Sequence, residues 1–240
     1  MARARISPVY WYALGGAVLA YLYYQKEAIV AGVQAVSVWG KEQYFDAVLP
    51  AYAQPYASAI LAASKATGVD PFTIFALGDR ESGWGQYLSP PGPGGTGDST
   101  HGRGLMQIDD RTWASWLASN DWTDPATNVL KGAQILKSDL DFFAGTSPIQ
   151  GLVDASGVYL PSSVAAARGV APGYYPDPRP LSGDALTQAA LAAYNTGMGN
   201  VLYSIAAGLS PDATTTQGNY ATDVAQRASQ LASEFEAAVA

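Results

Sequence analysis

The chain has no cysteine and one histidine, His101. The first absence excludes a disulfide framework, a thiolate zinc site and a cysteine nucleophile together. The second means that a Ser-His-Asp triad or a multi-histidine metal site would have to be built around one residue. Charge is sparse. Only 14% of residues are Asp, Glu, Lys or Arg, and 13 Lys+Arg stand against 20 Asp+Glu, for a net charge of −7. Such a chain has no basic stripe to meet a phosphate backbone, so nucleic acid is not an expected partner. Low charge with 48% apolar residues also excludes a disordered chain. The 25 Gly and 15 Pro show no collagen-like period. What remains is 240 residues, enough for one good-sized domain with an accessory segment, in which carboxylates are the available chemistry.

The N-terminus reads as a membrane segment. Ile6 to Tyr24 contains no charged residue. As a helix it would be about 28 Å long, close to the hydrocarbon thickness of a bilayer. Tyr10, Trp11 and Tyr12 mark one interface and Tyr21, Tyr23 and Tyr24 the other, while Arg3 and Arg5 precede the segment. The positive-inside rule then keeps the N-terminus in the cytoplasm and sends the rest of the chain across. We read residues 1–26 as an uncleaved single-pass anchor and 27–50 as a stalk. The competing readings are a cleaved signal peptide, a buried helix and a segment lying on the membrane surface. A cleaved peptide would have a shorter apolar core and a nearby small-residue site, and the best candidate, near Ala35, is far downstream.

From residue 51 onward the pattern predicts a mostly helical domain. Tyr56 to Thr67 has helical apolar spacing and stops at Gly68. Asp70-Pro71 and Asp124-Pro125 are each an acidic N-cap followed by proline in the first turn. The helix from Asp124 is expected to reach about Phe143. Further helices are expected from Asp110 to Ala118, from Asp184 to Tyr194, from Val201 to Ala207 and from Tyr220 to Ala238. No run alternates long enough to demand a sheet. The stretch from about 145 to 183 is rich in Gly, Pro and Ser and reads as a surface insertion.

Glycosidic cleavage requires a carboxylic acid that protonates the leaving oxygen, commonly with a second carboxylate to handle a water or the sugar cation. The acid needs an apolar setting that raises its pKa. Glu81 ends the apolar helix PFTIFALGDRE and precedes Trp84. Two more acids follow. Asp98 comes after Gly97 in a glycine-rich stretch, and Asp109 follows Leu105-Met106-Gln107-Ile108. The plain alternatives are a solvated Glu at a helix end, a turn cap at Asp98 and a helix N-cap at Asp109 or Asp110.

These residues resemble the active-site segment of goose-type lysozymes, within the lysozyme-like superfamily that includes the soluble lytic transglycosylases. The run is Glu81-Ser82, then Gly97-Asp98, then Gly102-Arg103-Gly104-Leu105-Met106-Gln107-Ile108-Asp109. The C-terminal half agrees: Ala193 to Val201 is similar to the family's A-Y-N-x-G-x-G-N-V run, and Tyr220 to Ala228 to its closing Y-A-x-D-V-x-x-R-A helix. The likeness covers roughly Tyr56 to Leu231.

The resemblance implies an all-α lysozyme-like domain with at most a minimal sheet. It implies cleavage of the β-1,4 bond between N-acetylmuramic acid and N-acetylglucosamine in peptidoglycan glycan strands, without a metal or organic cofactor. Glu81 matches the general acid, and Asp98 and Asp109 match the two aspartates that position water for inverting hydrolysis. Gln107, Tyr194, Asn195 and Tyr220 match substrate-cleft residues. For both tyrosines the plain alternative is helix packing with the hydroxyl at the surface. The Pro/Gly loop from Ser89 to Gly95, the residues His101 and Arg103, the insertion and the membrane segment depart from the family pattern. The anchor and insertion suggest a bacterial or bacteriophage protein, with its catalytic domain outside the membrane in a bacterial envelope or virion membrane. Two other readings stay open: a lytic transglycosylase using Glu81 alone to give 1,6-anhydro products, and a non-catalytic wall-binding or virion structural protein.

Overall fold

The computed structural model describes residues 45–146, 153–154, 157–167 and 169–239. The expected anchor, Ile6 to Tyr24, and most of the stalk lie outside the described residues. Among the described residues no helix is long and apolar enough to cross a membrane. The chain divides into two units. The first is residues 1–47 together with Val239; of these only residues 45–47 and Val239 are described, and they are helical. The second carries the elements below.

Besides the helical residues 45–48 and four short 3-10 helices, eight α-helices occur among the described residues: α1 (Ala57–Thr67), α2 (Pro71–Ser82), α3 (Ala114–Ser119), α4 (Pro125–Phe143), α5 (Ser162–Ala167), α6 (Gly183–Thr196), α7 (Met198–Ala206) and α8 (Tyr220–Val239). The Asp-Pro signals act as expected. Asp70 accepts a hydrogen bond from Thr73 N–H at 2.8 Å and opens α2, and Asp124 does the same with Thr127 at 2.8 Å for α4. The α6 start differs. Ser182 is its N-cap and Asp184 lies inside the first turn, where its charge complements the helix dipole rather than capping it.

Helix α4 is the central rod, with α1 and α6 packed along it and α7 against α6. Ile60 and Ala63 of α1, Val129, Ala133 and Leu136 of α4, and Leu191 of α6 are fully or almost fully buried between them. Burying an aliphatic side chain of this size is worth about 1.5–3 kcal/mol, so this seam carries much of the domain's stability.

Two small antiparallel sheets accompany the helices. The first joins β1 (Thr96–Gly97), β2 (Gly102–Arg103) and β3 (Ile108–Asp109). The second joins β4 (Val153–Asp154), β5 (Gly157–Leu160) and β6 (Gly173–Tyr175). With α5, the second sheet gives regular structure to the 145–183 stretch, which the sequence pattern reads as loop. Strands of two to four residues are too short for a period of two to register. Their pairing is set by partners across the sheet, such as Tyr159 opposite Tyr174.

Helix α2 is fixed by one close approach. Gly78 lies under the indole of Trp84, which is 2% exposed and stacks on Phe75 and Tyr56. A Cβ at Gly78 would fall 2.7 Å from the indole. Gly78→Ala is therefore expected to destabilise the domain by about 1–3 kcal/mol, because a ring locked in the core cannot move aside cheaply. Denaturant unfolding monitored by circular dichroism checks this. An unchanged midpoint would mean that the indole has room to shift.

Candidate active site

Glu81 is the penultimate residue of α2 and faces a cleft of about 580 Å³. The other cleft residues named from sequence line the same space: Asp98, Gln107, Asp109, Tyr194, Asn195 and Tyr220. With Glu81 of α2, they come from the first sheet and its connecting segments, from α6 and from α8. The fold thus gathers residues spread over 140 positions.

One wall is the β1–β3 sheet. Its register sets Gly97 opposite Gly102 and Gly102 opposite Asp109, so Asp98, which follows β1, emerges near Asp109 on β3. The glycines are required by a close neighbour. A Cβ on Gly97 or Gly102 would come within 2.2 or 2.1 Å of the Gln107 side-chain oxygen. The Gln107 amide in turn donates to Gly104 O at 2.8 Å.

The segment between β2 and β3 is held from three sides. Ser82 Oγ, next to Glu81, donates to Leu105 O at 2.7 Å. Asn128 of α4 accepts from Met106 N–H at 2.8 Å, while its amide nitrogen donates to Arg103 O and Trp122 O. Tyr194 Oη donates to Met106 O at 2.7 Å. Leu105, Met106 and Ile108 are buried, so this segment joins the sheet wall to the helical core. The Tyr194 hydroxyl therefore points inward and braces the wall. Asn195 braces another loop, its Oδ1 accepting from Thr216 N–H at 2.8 Å.

The opposite wall is the start of α8. Tyr220, 2% exposed, donates its hydroxyl to Glu81 Oε1. Arg80 lies over the Tyr220 ring, 5.6 Å from its centre, and pairs with Asp223 at 3.2 Å. Arg227 bridges Asp223 and Asp79. This charged chain fastens α2 to α8 and sets Tyr220 against Glu81.

Burial pushes the Glu81 carboxyl up from 4.5 to about 7; the Tyr220 hydroxyl and the Arg80 charge pull it down and Asp98 adds a further upward push. Glu81 thus keeps a large protonated fraction at neutral pH. Asp109 behaves oppositely. Its hydrogen bonds from the Arg111 side chain hold it below the usual carboxylate range. It does not cap a helix, since α3 begins at Ala114 with Trp113 in the cap position.

Five further residues line the cleft: Arg80, Gly102, Arg111, Thr216 and Gln217. Arg111 pairs with both Asp98 and Asp109. Its signal was an arginine directly after the Asp109-Asp110 pair in a chain with few cations. The two departures His101 and Arg103 are joined through Asp110, which pairs with both. His101 is thereby tethered while still 43% exposed. Among the described residues, no group of three or more acidic or histidine side chains is placed to hold a metal ion.

A protonatable glutamate deep in a polar cleft, opposite a pair of aspartates, has the parts needed to break a glycosidic bond. The comparison with known families agrees with that class. The Transglycosylase SLT domain family matches residues 58–212, and the chain belongs to this family of peptidoglycan-acting, lysozyme-like enzymes. The match runs from α1 past the cleft residues of α6 and ends before Tyr220. No curated protein matches the chain.

Tyr220 stabilises the charged form of Glu81, so Tyr220→Phe should raise the Glu81 pKa further. The alkaline limb of the pH–rate profile, expected near pH 7, should then move to higher pH. A limb that stays in place, or moves down, would show that another group controls it.

Proposed function

We propose that the protein is a muramidase that hydrolyses the β-1,4 bond between N-acetylmuramic acid and N-acetylglucosamine with inversion at the anomeric carbon. Glu81 donates its proton to the bridging oxygen as the C1–O bond breaks. A water held on the opposite face by Asp98 and Asp109 attacks C1. Tyr194, Asn195, Gln107 and Tyr220 shape the cleft that seats the glycan. The observation that carries this reading is Glu81 itself: a carboxyl raised to about 7 by burial, in one cleft with Asp109, whose carboxyl Arg111 holds low. Paired carboxylates with opposite protonation preferences are the pattern expected for acid and base.

The family name supports a second reading, a lytic transglycosylase, in which the muramyl 6-hydroxyl replaces water and only Glu81 is needed. Mass spectrometry of digested peptidoglycan separates the two. Reducing ends are expected, and products consisting only of 1,6-anhydro ends would assign the protein to the transglycosylases.

Glu81→Gln keeps the shape and can still accept from Tyr220, but has no acidic proton to give. General acid catalysis contributes ~10²–10⁴-fold, so turnover should fall at least that far. The folded variant should also lose a pH dependence. A carboxyl whose folded pKa is raised binds more protons folded than unfolded, so wild-type stability falls as pH rises from about 4.5 to 7. The melting temperature of Glu81→Gln relative to wild type should therefore climb across that window and level off above it. Near-normal turnover would remove Glu81 as the acid.

We further propose that Ile6 to Tyr24 anchors the enzyme, N-terminus inside and domain outside, in a bacterial envelope or virion membrane. The net charge of −7 supports tethering, since an acidic enzyme gains no electrostatic attraction to an anionic wall. The full chain should stay in the membrane pellet through an alkaline carbonate wash, whereas a shortened chain starting near Tyr44 should be soluble and active. Release of the full chain by the wash, or a mature N-terminus near Ala35, would exclude the anchor.

A further inference from the structure

The two aspartates of the cleft are not equivalent in their surroundings. Both oxygens of Asp109 are occupied by Arg111. Oδ1 accepts from the Arg111 backbone N–H at 2.7 Å and from Nε at 3.0 Å, and Oδ2 accepts from Nη2 at 2.7 Å and Nε at 3.2 Å. The same Nη2 reaches across to Asp98 Oδ2 at 3.1 Å. Among the described residues no hydrogen bond is made to Asp98 Oδ1. The Asp98 side chain is 65% exposed, against 36% for Asp109.

The backbone adds to the contrast. Asp109 sits on β3, paired with Gly102. Asp98 opens a run of three residues with left-handed backbone, Asp98, Ser99 and Thr100, at φ 45°, 53° and 79°. Such geometry is uncommon for residues with a Cβ and persists only where its surroundings hold it. An exposed carboxylate on such a turn has several side-chain orientations open to it. The contact that selects one is Arg111.

We propose that Asp98 alone, through Oδ1, accepts the proton of the attacking water, and that Arg111 is a positioning residue that holds Asp98 in place and is itself anchored by Asp109. This rests on the hydrolase reading above. Glu81 gives its proton to the bridging oxygen, which leaves with the C1–O electron pair as a hydroxyl. The water oxygen bonds to C1, and one of its protons passes to Asp98 Oδ1. Exchange with solvent then removes that proton from Asp98 and restores one to Glu81, for a net consumption of one water. Asp109 cannot take the same part without giving up hydrogen bonds to a guanidinium. The bridge also requires arginine. Its planar fork meets two carboxylates at once, whereas a lysine ammonium is a point charge on a flexible stem.

The test compares peptidoglycan digestion by wild type, Asp98→Asn, Asp109→Asn, Arg111→Gln, Arg111→Lys and the Asp109→Asn/Arg111→Gln double variant. Turnover and the ratio of reducing to 1,6-anhydro ends are both read. Exposed ion pairs contribute little to stability, so these variants should melt close to wild type. Asp98→Asn should lose ~10²–10⁴ of hydrolysis. Arg111→Gln should lose up to roughly 10²-fold, the scale of a misplacement of about 1 Å, and Arg111→Lys should not restore it. In these variants the share of 1,6-anhydro ends should rise, because a poorly held water then competes with the sugar's own hydroxyl. A merely structural Arg111 would lower total cleavage without moving that ratio. The double variant should be no worse than Arg111→Gln, since both changes break one chain of contacts.

Three results would overturn the proposal: Asp109→Asn as damaging as Asp98→Asn while Arg111→Gln is unaffected, full activity in Arg111→Lys, or losses at an unchanged product ratio. Wild-type digestion giving only 1,6-anhydro ends would instead defeat the hydrolase reading. Hydrolytic wild type with an insensitive Arg111 would defeat this inference and leave that reading standing.

Discussion

The Tyr220 hydroxyl meets the Glu81 carboxyl across 139 positions of sequence, and the cleft depends on that contact. A carboxyl taken out of water must be neutral or partnered. Here it is nearly balanced between the two, because burial favours the acid and the phenol favours the carboxylate. The contact holds only if α2 ends where α8 begins. Two arginines secure this: Arg80 pairs with Asp223, and Arg227 ties Asp223 to Asp79.

The second wall is held differently. Leu105 to Ile108 passes through the core, and its carbonyls and amides are taken up by Ser82, Asn128 and Tyr194, each from a different helix. A two-residue strand has little stability of its own. The β1–β3 sheet persists because its central connection is bolted to helices, and the row Gly97, Gly102 and Asp109 inherits that rigidity. The cleft is thus a rigid wall of sheet facing a helix pair, with the charged side chains at the rim between them.

Within that space acids are treated in opposite ways. Glu81 is desolvated and raised to about 7, while Asp109 is held low by a guanidinium. A chain of net charge −7 with few cations nevertheless places Arg80 and Arg111 in the cleft lining, one beside the candidate acid and one between the aspartates. Burial outweighs Arg80 at Glu81, whereas the Arg111 hydrogen bonds outweigh burial at Asp109, and this separates two protonation behaviours of the kind acid–base chemistry requires.

Much of this was legible from sequence. Asp70-Pro71 and Asp124-Pro125 announce helix starts because capping is local: a carboxylate reaches an amide three residues on, whatever surrounds it. Glu81, Asp98, Gln107, Asp109, Tyr194, Asn195 and Tyr220 could be named from their motifs, and the fold brings all seven to one cleft. What sequence did not reveal has a common cause. The strands of the 145–183 stretch are shorter than any readable period. The inward turn of both tyrosine hydroxyls depends on partners 88 and 139 residues away. Arg111 reads as an ordinary surface cation until β1 and β3 bring two carboxylates to its fork. The sequence alone determined the chemical groups and their local starts and stops, because those follow from neighbours along the chain. Only the tertiary structure decided which carboxyl loses its water and which keeps a cation, because desolvation and charge pairing are set by neighbours in space.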